Sequence, residues 1–291
     1  WSGHNKHDYE QTLQKLQMAD IIFCEWGLGN ALFYSKNKLP GQKLYIRVHR
    51  QELVTDYLDD VEFNNVTNVI AISPSIYEEF ARIKKIPREK LKLVPNMVDV
   101  DRFKINKSEQ FSEYNIGILG VLPKLKRLDR AIEIFERLWE HDKKYKLFIK
   151  SKLPEDLPWM KNRPDEMSYY EKLFEKINSA PWKENVIFEK HGDDVPQWFS
   201  KLNFILSTSD IESFHLAPME GMASGTIPII FNWDGSHTIY PNEYIVKSTD
   251  EAVDLILKKT IEETDRNYLI EYVTKFSKKN IINKLNNIIL N

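Results

Sequence analysis

Short apolar runs rich in β-branched and aromatic residues recur along this chain between longer amphipathic stretches, and that alternation limits the fold more than any other feature. Strands buried on both faces lose their in–out alternation and read as continuous hydrophobic runs, the pattern of a parallel sheet covered by helices. The first half offers Ile21-Ile22-Phe23-Cys24, Lys43-Leu44-Tyr45-Ile46-Arg47-Val48, Val69-Ile70-Ala71-Ile72 and Lys92-Leu93-Val94. The second half restarts with Asn115-Ile116-Gly117-Ile118-Leu119, then Lys146-Leu147-Phe148-Ile149, Val186-Ile187-Phe188, Phe204-Ile205-Leu206 and Ile227-Pro228-Ile229-Ile230-Phe231. Helices are expected after Ser73-Pro74, where Ile76, Phe80 and Ile83 share a face, and over 128–141, where Ala131, Ile132, Ile134, Phe135 and Leu138 do. The fold class is therefore α/β.

A chain of 291 residues suits two domains better than one core. The polar segment 104–113 separates the two series of strands, so 1–104 is expected as one Rossmann-like domain and 105–270 as a second. A helical period carried by Ile270, Val273, Phe276, Ile281, Ile282, Leu285 and Ile288 predicts one helix over 267–290, with 271–291 packing back on the first domain. The segment 154–165, with three prolines and no period, reads as a loop.

With 41 basic against 43 acidic side chains there is no basic field, and nucleic acid is not an expected partner. The single cysteine, Cys24, lies inside an apolar run; it excludes an internal disulfide framework and fits a reducing compartment. No run approaches the ~18–20 apolar residues that cross a bilayer, and Trp1-Ser2-Gly3-His4 carries no signal-peptide pattern. A cytoplasmic protein is expected, with Lys124, Lys126, Arg127 and Arg130 as a cluster for phosphate or for peripheral contact with the inner face of a membrane. The histidines are scattered and no Asp-x-Asp pair ends a strand, so no metal site is expected.

The most informative segment runs from Ser207 through Glu212, Pro218 and Glu220 to Gly225 and Pro228. It follows one strand and precedes another, where open parallel sheets bind ligands. Pro218 suits the first turn of a helix ending near Ser224, and Gly225 its left-handed end. The free N–H groups before that turn, with the positive end of the helix dipole, favour phosphate oxygens. Glu212 in the loop and Glu220 in the helix can face one bound molecule, with acceptor-only oxygens suited to sugar hydroxyls.

Glu212 and Glu220, followed by Gly221-Met222-Ala223-Ser224-Gly225-Thr226-Ile227-Pro228, resemble the E-x7-E signature of retaining glycosyltransferases with the GT-B fold, of the group 1, family 4 type. Val94-Pro95-Asn96-Met97-Val98-Asp99 is similar to the family's Pro-Asn-Gly-Val-Asp stretch, Ile72-Ser73-Pro74-Ser75 to its Val-Ser-x-Ser segment, and Val48-His49 to its strand-end histidine. Gly120-Val121-Leu122-Pro123-Lys124-Leu125-Lys126-Arg127 resembles its Gly-Arg-Leu…Lys-Gly loop. The resemblance implies two Rossmann-like domains facing a cleft. It implies a first strand and a Gly-rich acceptor loop ahead of residue 19, so the N-terminal domain is expected to be incomplete.

By this resemblance Glu220 holds the donor ribose, Glu212 contacts the transferred sugar, and Lys126 offsets charge on the leaving diphosphate. The amides of Phe214, His215 and Leu216 bind sugar hydroxyls or the distal phosphate, Gly120 lets the backbone approach, and His49 faces the reacting sugar. The chain departs from the family at Val121, which replaces an arginine, and at Arg127, which replaces a glycine; either Lys124 or Arg127 supplies the missing charge, or donor binding is weak. The His191-Gly192 loop is a candidate cover for the nucleobase.

The implied activity is transfer of a sugar, with retention, from a UDP- or GDP-sugar to a glycan, lipid-linked or protein acceptor in polysaccharide synthesis, without a further cofactor. The alternatives are an idle nucleotide-sugar-binding module, and a phosphorylase or epimerase of the same architecture.

Overall fold

In the computed structural model, which describes residues 6–258 and 262–290, the apolar runs form two wholly parallel sheets. The α/β expectation holds. The chain divides into two units, Trp1–Asn96 with Ile281–Asn291, and Met97–Asn280. No helix of the described residues is long and apolar enough to cross a membrane.

In the first unit α1 (Tyr9–Met18) leads into β1 (Ile21–Glu25), α2 (Gly29–Asn37), β2 (Lys43–Val48), β3 (Asn68–Ala71), α3 (Pro74–Ile83) and β4 (Leu91–Leu93). The strands pair in chain order. Helix α3 starts as its sequence suggests: Ser73 Oγ accepts from the Ile76 amide at 3.3 Å, and Pro74 needs no donor at the first position.

Beyond the carboxyl ends of β1 and β2 the chain is pinned by Glu52, which is fully buried. One of its oxygens accepts from the Gly27 amide at 2.8 Å and the other from the His49 amide at 3.1 Å. Removing the acceptor strands both donors, and each stranded buried donor costs about 1–3 kcal/mol. Glu52→Ala is expected to lose about 2–4 kcal/mol in urea unfolding, and Glu52→Gln, which keeps one acceptor oxygen, about half as much. Equal losses in the two variants would show that the two hydrogen bonds are not what the carboxylate supplies.

The second unit contains α4 (Val100–Phe103), β5 (Asn115–Leu119), α5 (Leu128–His141), β6 (Lys146–Ser151), α6 (Pro164–Ser179), β7 (Val186–Lys190), α7 (Val195–Ser200), β8 (Phe204–Ser207), α8 (Leu216–Ala223), β9 (Ile227–Phe231), β10 (Ile245–Val246), α9 (Thr249–Lys258) and α10 (Glu263–Thr274). Its strand order is β10-β9-β8-β5-β6-β7. The chain thus builds outward from β5 in one direction and then from β8 in the other. The carboxyl ends of β5 and β8 form the switch point, where such sheets open a crevice for ligands.

Helix α8 lies close on β8 because Gly221 has no side chain. A Cβ there would come within 2.9 Å of Ile205 Cγ2 and 3.0 Å of Phe199 Cε1. This approach sets the height at which the neighbouring Glu220 stands.

Two local expectations change. The proline-rich 154–165 segment contains short 3-10 turns, Pro154–Asp156 and Pro158–Asn162, and then enters α6 with Pro164 in its first turn. The helix expected over 267–290 is broken between α10 and α11 (Lys278–Ile289). There the Val98 amide donates to the Phe276 carbonyl at 2.8 Å, and Lys278 pairs with Asp99 at 2.6 Å. Phe276 is buried, so the chain leaves the helical path to place its ring and bridge Ser277 to Val98. Within the first unit the last turn of α11 meets β2: the Tyr45 hydroxyl lies 3.3 and 3.2 Å from the Ile288 and Ile289 carbonyl oxygens.

Candidate active site

Two loops leave the switch point, 120–127 after β5 and 208–215 after β8, and hydrogen bonds tie them together. The Thr208 hydroxyl donates to the Lys126 carbonyl at 2.7 Å, and the Asp210 amide to the Leu125 carbonyl at 2.9 Å. Arg130, from the first turn of α5, reaches the Thr208 carbonyl at 2.9 Å and Asp210 at 2.8 Å. Residues far apart in sequence are thereby held in one frame.

Within that frame Lys126 Nζ lies 2.5 Å from Glu212 Oε1, with side-chain exposures of 25% and 12%. The same oxygen accepts from Ser209 Oγ at 2.7 Å and lies 3.6 Å from His215 Nδ1. Desolvation pushes the Glu212 carboxyl up, but His215, Lys126 and the hydrogen bonds from Lys126 and Ser209 outweigh it and hold the group below its usual value. His215 is itself driven toward the neutral form, to about 4, chiefly by burial, with Lys126 adding to the effect and Glu212 opposing it. At neutral pH the imidazole is uncharged, so the charge that keeps Glu212 ionised is that of Lys126. Ser207 Oγ, 2.7 Å from His215 Nδ1, fixes the ring.

His215 caps α8 in the left-handed region, at φ 55°. The Tyr240 hydroxyl holds that turn through the Phe214 and His215 carbonyls, leaving the amides of the same peptide units, those of His215 and Leu216, on the opposite side. Among the described residues, no acceptor takes the amides of Phe214, His215 and Leu216, at the positive end of α8.

The Glu220 carboxylate, in α8, has no hydrogen-bond partner among the described side chains and backbone groups. Burial pushes its carboxyl from the ordinary 4.5 to about 7, against the weaker pull of Arg102. Because its folded value is raised, its contribution to stability is complete below about 4.5 and is lost as pH rises through 7, by at most about 3 kcal/mol. Glu220→Gln is therefore expected to match the parent at pH 4 and to exceed it by about 2–3 kcal/mol at pH 8 in urea unfolding. A difference independent of pH would sink this account of the carboxyl.

The family model described as glycosyl transferases group 1 matches residues 100–276, which include both loops, both glutamates and the whole switch point. This chain belongs to the glycosyl transferases group 1 family. Solved structures agree in fold. TarM of S. aureus, in a complex holding UDP and alpha-GlcNAc-glycerol, is 17% identical with a TM-score of 0.72 over 97% of this chain and 58% of its own. HepE of Anabaena, in complex with UDP, is 15% identical with a TM-score of 0.78 over 96% and 80%. The pneumococcal O-GlcNAc transferase GtfA, in complex with UDP and GlcNAc, is 17% identical with a TM-score of 0.69 over 96% and 58%. The chain thus spans 58% of the length of TarM. No curated protein sequence matches it.

The group 1 resemblance expects glycine where Arg127 stands. The structure shows the demand the glycine would meet, since Arg127 occupies the left-handed region at φ 54°. A non-glycine residue there costs about 1–2 kcal/mol. Asp129 offsets that cost by taking Arg127 Nε at 2.9 Å and Nη2 at 2.7 Å, and Asp210 takes Nη1 at 2.9 Å. The guanidinium is thus engaged by two carboxylates and braces the loop that carries Lys126. Lys124 is exposed and lies over the Tyr169 ring. Gly120 is also left-handed, at φ 76°, and a Cβ there would meet no protein atom within 4 Å, so the space beside it is open.

Two cavities flank this centre. One of about 520 Å³ lies between the ends of β6 and β7, lined by Ser151, Lys152, Leu153, Phe188, Lys190 and His191. The other, about 600 Å³, lies outside the 123–127 turn against Arg163, Glu166 and Tyr169. Neither Glu212 nor Glu220 lines them. Among the described residues no cluster of three or more His, Cys, Asp or Glu side chains is placed to hold a metal ion.

Of the residues singled out by sequence, the structure gathers Lys126, Glu212, Phe214, His215, Leu216 and Glu220 around one loop-and-helix junction, with Gly120 and Arg127 on the loop beside it. His49 lies in the other unit, 3.4 Å from Glu25 Oε1 through Nε2. Sequence reasoning missed Ser209, Asp210 and Tyr240. Ser209 and Asp210 stand just ahead of the glutamate motif but gain meaning only from partners on distant segments, and nothing around Tyr240 marks it.

Proposed function

We propose that the chain carries the donor-handling machinery of a glycosyltransferase that moves a sugar from a nucleoside diphosphate to an acceptor hydroxyl with retention. The observation that carries this reading is the Lys126–Glu212 pair, set beside the unfilled amides of Phe214, His215 and Leu216 at the switch point. Glu220 takes the ribose hydroxyls, Glu212 the hydroxyls of the transferred sugar, and the amides with Lys126 the diphosphate. The base enters the cavity between Ser151 and His191, and Gly120 leaves room for the phosphates.

The acceptor oxygen bonds to the anomeric carbon as that carbon's bond to the phosphate oxygen breaks, and the acceptor's proton passes to the leaving phosphate. Lys126 and the amides steady the negative charge that develops there. UDP in the structures of HepE and GtfA, and UDP-glucose in another of HepE, make a UDP-sugar the first donor to try. His49 is assigned to the acceptor side.

The test is calorimetric titration with UDP-, GDP- and ADP-sugars, repeated with Glu220→Ala. Binding of one donor class that weakens at least tenfold in the variant is expected. No binding at millimolar concentration, or binding indifferent to Glu220, overturns the reading.

A further inference from the structure

A second cluster lies wholly within the first unit, beyond the carboxyl ends of β1 and β2, the edge of a parallel sheet that faces ligands. Trp26 occupies the left-handed region at φ 76°, a strained conformation for a tryptophan that persists only where its surroundings impose it. Here the Trp26 amide donates to the Arg47 carbonyl at 3.0 Å, and Glu52 fixes the next residue through the Gly27 amide. The indole is stacked on the His49 ring, centroids 3.8 Å apart and planes 23° apart, yet 38% of the residue remains exposed. A large aromatic is braced from behind and presented to water.

The polar groups around it are equally fixed. Arg47 is buried, with Nη1 on Glu25 Oε1 at 2.8 Å and Nη2 on Asn96 Oδ1 at 2.6 Å, while its Nε and His49 Nδ1 are buried without hydrogen-bond partners. The Glu25 side chain is 46% exposed; its Oε1 faces Arg47 and His49, and its Oε2 takes no donor among the described residues. A rigid indole beside a half-exposed carboxylate matches a sugar ring, whose C–H face packs on the aromatic plane while its hydroxyls donate to the carboxylate. Glu25 and Glu52 against Arg47 leave no excess of fixed positive charge, which argues against a phosphate-bearing ligand.

We infer that Trp26 and Glu25 form a saccharide-binding subsite in the first unit, with Arg47, His49 and Glu52 as positioning residues. This extends the glycosyltransferase reading to its acceptor, making the acceptor group a sugar ring. The test uses no nucleotide, so its outcome is independent of the donor titration. The full chain is labelled with 5-fluorotryptophan, and the Trp26 signal is identified as the one missing in Trp26→Phe. It is then titrated with methyl glycosides of glucose, galactose, N-acetylglucosamine and rhamnose, with glycerol as control.

A saturable shift of the Trp26 signal by at least one glycoside is expected, weakened fivefold or more in Glu25→Gln. Trp26→Phe, which retains a ring, is expected to bind the same glycoside more weakly by its other fluorotryptophan signals or by calorimetry, and Trp26→Ala not at all. No shift from any glycoside, an equal shift from glycerol, or affinity unchanged in both Glu25→Gln and Trp26→Ala overturns the inference.

Discussion

Lys126→Met is expected to lower sugar transfer by about 10²–10³-fold in kcat with a smaller change in donor affinity. The reason is where its charge stands. Lys126 is the cation in direct contact with Glu212, and it projects from a loop fastened to the neighbouring loop by the Thr208, Asp210 and Arg130 hydrogen bonds. A charge held that way needs no reorganisation when the phosphate leaves, which is why such groups act mainly on the transition state. The change also strips Glu212 of the charge that keeps it ionised in a buried position, so the Glu212 carboxyl rises and the pH–rate profile acquires a new acid limb. Lys126→Arg is expected to recover only part of the rate, because the wider guanidinium does not reproduce a single short contact. The measurement is initial-rate kinetics on the donor found by titration, across pH 5–9. Parental kcat in Lys126→Met would remove the residue from the mechanism.

Much of the architecture was legible because parallel strands buried on both faces announce themselves. Ile227–Phe231 is buried at every position, and its sequence is an unbroken apolar run. Helix α5 was equally plain, since one broad apolar stripe repeats over its whole length. The misses have physical causes. Strand β10 is too short to show a pattern, and α2 mixes apolar and polar residues with little facial segregation. The helix expected over 267–290 kept its period through the break, because Phe276 and Ile281 are both buried although the backbone over 275–277 is not helical.

Lys107 shows the same limit from the other side. It lies in a polar segment, 104–113, that reads as solvated, yet it is half-buried and donates to the Leu202 carbonyl at 2.8 Å and to Thr226 Oγ1 at 2.9 Å. Burial first and Arg266 second lower its ammonium to about 7. Composition records what a residue is, while the partners that make burial tolerable come from segments far along the chain.

The candidate site divides along that line. The spacing of Glu212 and Glu220, the strand before them and the glycine after them are local, and all were visible in sequence. That Glu212 is paired while Glu220 is not depends on Lys126 and Arg102, which no local pattern assigns to either carboxylate. The cost of a non-glycine residue at 127 is visible only as φ, and its compensation only as the Asp129 and Asp210 contacts.

Glu212→Gln separates binding from turnover most sharply. In the unliganded chain the Glu212 carboxylate occupies the Lys126 ammonium, so on the proposed reading, in which that ammonium meets the diphosphate, each donor must displace it. Neutralising that competitor removes one negative charge a few ångströms from where a trianionic nucleoside diphosphate is to sit. At an effective dielectric near 20 a pair of unit charges ~4 Å apart is worth about 4 kcal/mol, and solvent screens part of it, so a gain in affinity of at least about tenfold is expected. Transfer is expected to fall by at least ~10²-fold nonetheless, because the sugar hydroxyls lose an ionised acceptor that orients them. Tighter product and slower chemistry from one substitution is a combination that general damage to the site does not produce.

The double variant Lys126→Met with Glu212→Gln completes the cycle. If the gain in affinity comes from releasing Lys126, it vanishes when Lys126 is already gone, leaving a coupling of about 1 kcal/mol or more between the two positions. Calorimetry with UDP and GDP on the four proteins measures that coupling directly. Additive effects would mean that the pair seen in the unliganded chain does not compete with the donor, and that Glu212 acts on the sugar alone.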